Sequence, residues 1–60
     1  MKKYVFYFHE HIGGNAYYEV IEAETFMIAR NAFFEEHQHT PHRVDFVHEF
    51  SDNELIKVYK

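Results

Sequence analysis

Apolar and polar residues alternate at two different periods along this chain, and the changes of period mark out its segments. Tyr4 to His11 is dense in aromatic and β-branched residues and predicts a strand. Successive strand side chains point to opposite faces, so Tyr4, Phe6 and Phe8 share one face and Val5, Tyr7, His9 and His11 the other. Both faces are largely apolar, the pattern of a central strand or of one covered on both sides. Ile12-Gly13-Gly14-Asn15 then predicts a turn, because glycine and asparagine tolerate the positive φ that hairpins demand. Ala16 to Ala23 is the return strand, with Tyr18, Val20 and Glu22 on one face and Tyr17, Glu19 and Ile21 on the other.

The period changes next. Thr25 is suited to cap a helix N-terminus, and Glu24 beside it favours the positive end of the dipole. The helix is expected from about Phe26 to His37, with Ile28, Ala29, Ala32, Phe33 and His37 on its buried stripe. Met27 and Phe34 fall off that stripe and read as flank packing. Pro41 cannot continue a helix and pushes Thr40 to extended geometry. From Arg43 to Phe50 strict alternation returns. It places Val44, Phe46, His48 and Phe50 on one face and Asp45, Val47 and Glu49 on the other. Ser51-Asp52-Asn53-Glu54 fits either a capping box or a hairpin loop. The β-forming run after it favours a fourth strand, Glu54 to Tyr59, over a short helix that would be marginal alone. The order is ββαββ: an α+β fold in which one helix packs on one face of a small antiparallel sheet, residues 1–60 forming a single domain.

Size sharpens this picture. A chain of 60 residues buries only about 60% of its unfolded surface, and small domains usually need a staple. With no cysteine, disulfides and thiolate zinc sites are excluded. Five Tyr and seven Phe supply aromatic mass instead, more than one helix–sheet layer needs, so some rings should face a partner. The aromatic set assigned to such a face, or to a dimer contact, is Tyr4, Phe6, Phe8, Tyr7, Tyr17 and Tyr18. Self-association would hide that surface and stabilise a marginal domain, so a homodimer is expected.

Charge is distributed unevenly. Four of the six basic residues lie near the ends, and all ten acids lie between Glu10 and Glu54 with only Arg30 and Arg43 among them. Nucleic-acid binders show the opposite bias, so aromatic stacking of bases is disfavoured and no direct nucleic-acid partner is expected. The longest apolar run, Tyr4 to Phe8, is far below the ~20 residues a membrane span needs, and no signal-peptide core follows Lys2 and Lys3. A complete, cytoplasmic chain is expected.

Enzyme signatures are absent: no nucleophile elbow, no phosphate-cradling loop, no Cys nucleophile, and Ser51 is the only serine. No catalytic residue and no cofactor are assigned. Six histidines are unusual, and imidazole is the commonest metal ligand. His9, His11, His37, His39 and His42 are weak candidates, since spacing fixes no third ligand. A metal-responsive histidine protein is therefore the alternative function, beside a nucleic-acid-binding sheet.

The Met-Lys-Lys-Tyr start, the aromatic strand Tyr4–Phe8 and the acid series Glu19, Glu22, Glu24, Glu35, Glu36, Asp45, Glu49, Asp52 and Glu54 give the chain a likeness in size and composition. It resembles the short, acidic, cysteine-free early proteins with which bacteriophages inhibit host proteins. The resemblance implies steric blocking of a host protein, in some members by DNA mimicry, although the charge here is less negative than in the extreme mimics. The partner expected is a host protein with a basic surface, met by Glu19, Glu22, Glu35, Glu36, Asp45 and Glu49.

Overall fold

A computed structural model describes residues 1–11, 13–39 and 42–60. The expectations for Ile12, Thr40 and Pro41 lie outside the described residues. Four strands and one helix follow the anticipated order: β1 (Lys2–Glu10), β2 (Ala16–Ala23), α1 (Phe26–Glu36), β3 (His42–Ser51) and β4 (Glu54–Tyr59). The strands form one antiparallel sheet in the spatial order β2-β1-β3-β4. β1 is thus interior in the sheet, with neighbours hydrogen-bonded along both edges.

Local chemistry sets the boundaries. Gly13 and Gly14 both take positive φ, 93° and 70°, in the β1–β2 connection. The Thr25 hydroxyl accepts the Ile28 amide at 3.3 Å and caps α1. Asp52 and Asn53, at φ 51° and 67°, turn β3 into β4. Two successive positive-φ residues match the twist of a hairpin, so Ser51–Glu54 closes a strand pair and starts no helix.

The core lies between α1 and one sheet face. Tyr4, Phe6, Phe8, Ala23, Ala29, Phe33 and Val47 are buried, with Ile21, Phe26, Val44 and Tyr59 packed around them. Phe33 stacks on Phe6 at 4.6 Å and 3°, and meets Phe8 edge-on at 5.0 Å. Phe26 stacks on Tyr59 at 3.9 Å and 5°. That contact rotates the helix by about one position from the expected stripe. Phe26, Ala29, Phe33 and His37 face the sheet, while Ile28 is 52% exposed and Ala32 is also exposed. Met27 and Phe34 are exposed too, and Phe34 carries the Arg30 guanidinium 4.8 Å above its ring.

Two bulges reset the register. Against β1, β3 pairs Tyr7 with Phe46 but Phe8 with Val44, leaving Asp45 as the extra residue. Val44 therefore turns to the helix side with Val47 and Glu49, and Phe46, His48 and Phe50 take the other side. The uninterrupted alternation expected for Val44, Phe46, His48 and Phe50 is corrected accordingly. Between β3 and β4 the pairing slips at Glu49/Phe50, where Ile56 is the extra residue.

Candidate functional site

The register assembles a continuous surface on the sheet face away from α1. Its middle row crosses all four strands as Val20, Val5, His48 and Val58. On one side lie Tyr18, Tyr7 and Phe46, and on the other Glu22, Lys3, Phe50 and Leu55. Tyr7 stacks on Phe46 at 4.6 Å and touches Tyr18 at 6.3 Å. The His48 ring lies among Tyr7, Phe46 and Phe50, at 5.1, 5.2 and 5.7 Å. Lateral packing leaves the outward surface of this layer open: Tyr18 is 71% exposed, Val20 50% and Leu55 53%. Among the described residues charge sits at its ends, as Lys3 opposite Glu22 and as Arg43 opposite His9, whose ring lies 3.0 Å from Asp45.

Of the aromatic residues expected on a partner face, Tyr7 and Tyr18 are on it. Tyr4, Phe6 and Phe8 point the other way and form the floor of the core, so they are removed from the candidate face. Tyr17 shares their side, at the sheet edge, where its hydroxyl donates to Glu10 at 3.2 Å. Sequence reading missed Val20, His48, Phe50, Leu55 and Val58. Leu55 joins that face only through the β3–β4 bulge at Ile56, which alternation alone does not reveal.

The six acids assigned to a basic partner do not share a surface. Glu22 lies on the open face, Asp45 in the bulge, and Glu35 on the helix exterior. Glu49 is 4% exposed and is not available to a partner. It lies opposite Tyr4 on the helix side of β3, accepts the Tyr59 hydroxyl at 2.7 Å and pairs with Lys2 at 3.3 Å. The Tyr59 hydrogen bond, helped by Lys2 and opposed by burial, holds the Glu49 carboxyl below its usual range. The same bond and burial push the Tyr59 phenol up to about 12. Burial first, and Glu49 second, raises the Tyr4 phenol.

Glu19 and Glu36 instead meet at the C-terminal end of α1. Glu19 is on the helix side of edge strand β2, opposite Phe6. Its Oε1 lies 3.1 Å from Nε2 of His37, the helix C-cap. Ligand atoms of Glu19, Glu36 and His37 all lie within 4.8 Å of one another. Glu19 is close enough to share a proton with Glu36 and to repel its charge, which holds the Glu36 carboxyl above its ordinary range. His37 rests on Phe33 and Phe8, at 4.4 and 5.1 Å, with the His42 ring 5.5 Å away. Among the five candidate metal-ligating histidines, His37 alone enters a converging group of three described ligands. His9 is held by Asp45, and His11 and His39 are exposed elsewhere.

One surface groove of about 220 Å³ runs beside α1 and is lined by Phe26, Arg30, Phe34, Val44 and Tyr59 among others, and a more open one of about 350 Å³ is lined by His9, Glu10, His11, Gly14 and Arg43. Small-molecule sites commonly occupy about 300–1,000 Å³. No described helix is long and apolar enough to cross a membrane. Searches for similarity found no matching family model, no similar curated protein and no similar solved structure.

Proposed function

We propose that this chain is a protein-binding module, not an enzyme, and that its open sheet face takes up a second copy of itself. The observation that carries this reading is the row Val20–Val5–His48–Val58 with its flanking rings, a surface apolar across its width. Exposed patches of this kind mark interfaces. A second copy fits because the centre of the face carries no Lys, Arg, Asp or Glu to repel its own image, and its end charges include both signs. A standard interface takes about 800 Å² from each partner, under a fifth of the 4434 Å² this chain exposes. Dimerisation would also supply the staple that a short, cysteine-free chain lacks.

Blocking of a host protein, as in the phage early proteins the composition resembles, is the narrower proposal. Its acidic contacts would come from Glu22 and Glu35, with Asp45 and Glu36 already engaged by His9 and Glu19. Glu35 on the helix exterior stays clear of the dimer-building face, whereas Glu22 lies at one end of it and would be shared between the two contacts.

Sedimentation of the wild type, Val20→Lys and Val58→Lys tests the reading. Both valines are exposed, so the variants should keep wild-type circular dichroism. The wild type should sediment as a dimer at micromolar concentration and both variants as monomers. A monomeric wild type at high micromolar concentration, or folded variants that dimerise undiminished, would exclude this face.

A further inference from the structure

The cluster at the end of α1 lies on the helix side of β2 and has no part in the proposed interface. Its composition is unusual for a purely structural contact. Two carboxylates and one imidazole converge at the C-terminal end of a helix, where the macrodipole is already negative. The last helical turn contains no basic residue. Among the described residues neither carboxylate forms an ion pair with Lys or Arg. One oxygen of Glu19, Oε2, is buried and has no hydrogen-bond partner among the described residues. A buried anionic oxygen left this way is costly unless something positive meets it.

We propose that Glu19, Glu36 and His37 form a binding site for one divalent cation of the zinc class. The donor set is one nitrogen and two oxygens. Imidazole favours zinc and its first-row neighbours over magnesium or calcium, which prefer all-oxygen sites. Three protein ligands suffice for zinc, whose fourth position can hold water. The Glu19–His37 separation of 3.1 Å is close to the spacing of two ligands on one tetrahedral zinc. Small side-chain movements would bring in Glu36, which is exposed. The cation takes the place of the hydrogen between His37 Nε2 and Glu19, and a neutral imidazole then carries its N–H on Nδ1 while Nε2 binds the metal.

Position gives the site a purpose. Glu19 belongs to an edge strand and Glu36 and His37 to the helix end, 17 and 18 residues later in sequence. One cation would tie the two elements together, the role a disulfide or structural metal plays in other small domains. His37 also packs on Phe8 and Phe33, so its orientation is fixed by the core before any metal arrives.

The test is calorimetric titration of the full chain with Zn2+, with Mg2+ as a separate arm. One Zn2+ per chain is expected, and no Mg2+ uptake at the same concentration. Glu36→Gln and His37→Gln should each weaken Zn2+ binding at least about tenfold, the scale on which even outer-shell losses act. His9→Gln/His11→Gln should bind as the wild type does. Thermal melts in EDTA identify any variant that fails to fold. Glu36→Gln removes a repelled charge from an exposed position, so it should melt no lower than the wild type. The proposal is overturned if the wild type takes up no Zn2+, if folded Glu36→Gln binds with unchanged affinity, or if the His9/His11 variant abolishes binding. Since Glu36→Gln and His37→Gln leave the open face untouched, dimerisation and metal binding succeed or fail separately.

Discussion

Glu49 illustrates how a single residue can be assigned the wrong work when only its charge is known. As a carboxylate on an alternating strand it reads as a contact for a basic partner. In the fold it is buried, and its two oxygens are taken by Tyr59 and Lys2. Its stabilising effect has a defined pH window. The folded-state carboxyl lies below its ordinary value of 4.5, so the unfolded chain binds the proton more tightly. The contribution is therefore complete above that value and is lost as pH falls through the lower folded-state pKa. Glu36, raised in the fold, acts in the opposite sense: its contribution is lost as pH rises through its folded-state pKa. Replacing Tyr59 by Phe should cost about 1.5–3 kcal/mol at neutral pH, the range for a hydrogen bond to a charged group. It should also flatten the acid limb of the stability curve. Urea unfolding between about pH 3 and pH 7 measures both, and an acid limb as steep in Tyr59→Phe as in the wild type would refute the assigned partner.

Among the elements, the β3–β4 hairpin depends on two residues outside the usual backbone region. Asn53 at φ 67° occupies a left-handed conformation that costs most side chains about 1–2 kcal/mol. Asn53→Val should therefore destabilise the protein by that amount, whereas Asn53→Gly should leave stability equal or higher. Thermal melts of the pair distinguish turn conformation from side-chain contact. If both substitutions destabilised equally, backbone strain would not be the cause. Turn chemistry of this kind is local, which is why strand and helix boundaries were legible in the sequence. Ala16–Ala23 and Glu54–Tyr59 fall where expected, and Thr25 caps the helix as its residue type suggests. What alternation could not reveal is a one-residue insertion. The bulge at Asp45 moves Val44 to the core side and leaves Phe46 on the open side. The helix stripe was displaced for a related reason, because Phe26 stacks on Tyr59 from a strand 28 residues away along the chain. Glu19, Glu36 and His37 come together only in three dimensions. Histidine spacing pointed to His37 among five candidates but gave no sign of its carboxylate neighbours.

At the scale of the whole molecule, helix and sheet leave one layer covered and one open. The core uses Tyr4, Phe6 and Phe8 from one side of β1, and Val5 and Tyr7 from the other side are half-buried by neighbouring strands alone. Burying the open face against a second copy places His48 inside the interface, ringed by Tyr7, Phe46 and Phe50. Lys3 and Glu22 lie at one end of that face and His9, Arg43 and Asp45 at the other. A full charge is costly in such surroundings. His48→Lys should therefore weaken the dimer, whereas His48→Gln should retain it. Dissociation constants from sedimentation of the two variants decide the point, and undiminished dimerisation by His48→Lys would place His48 outside the interface.

The open face is most directly tested by isotope-filtered nuclear Overhauser measurements on a mixed labelled and unlabelled sample. Intermolecular contacts are predicted among Val5, Tyr18, Val20, His48 and Val58, with none from the exposed helix residues Met27 and Ile28. Intermolecular contacts confined to α1 or to a strand edge, or none at concentrations where the wild type sediments as a dimer, would contradict it.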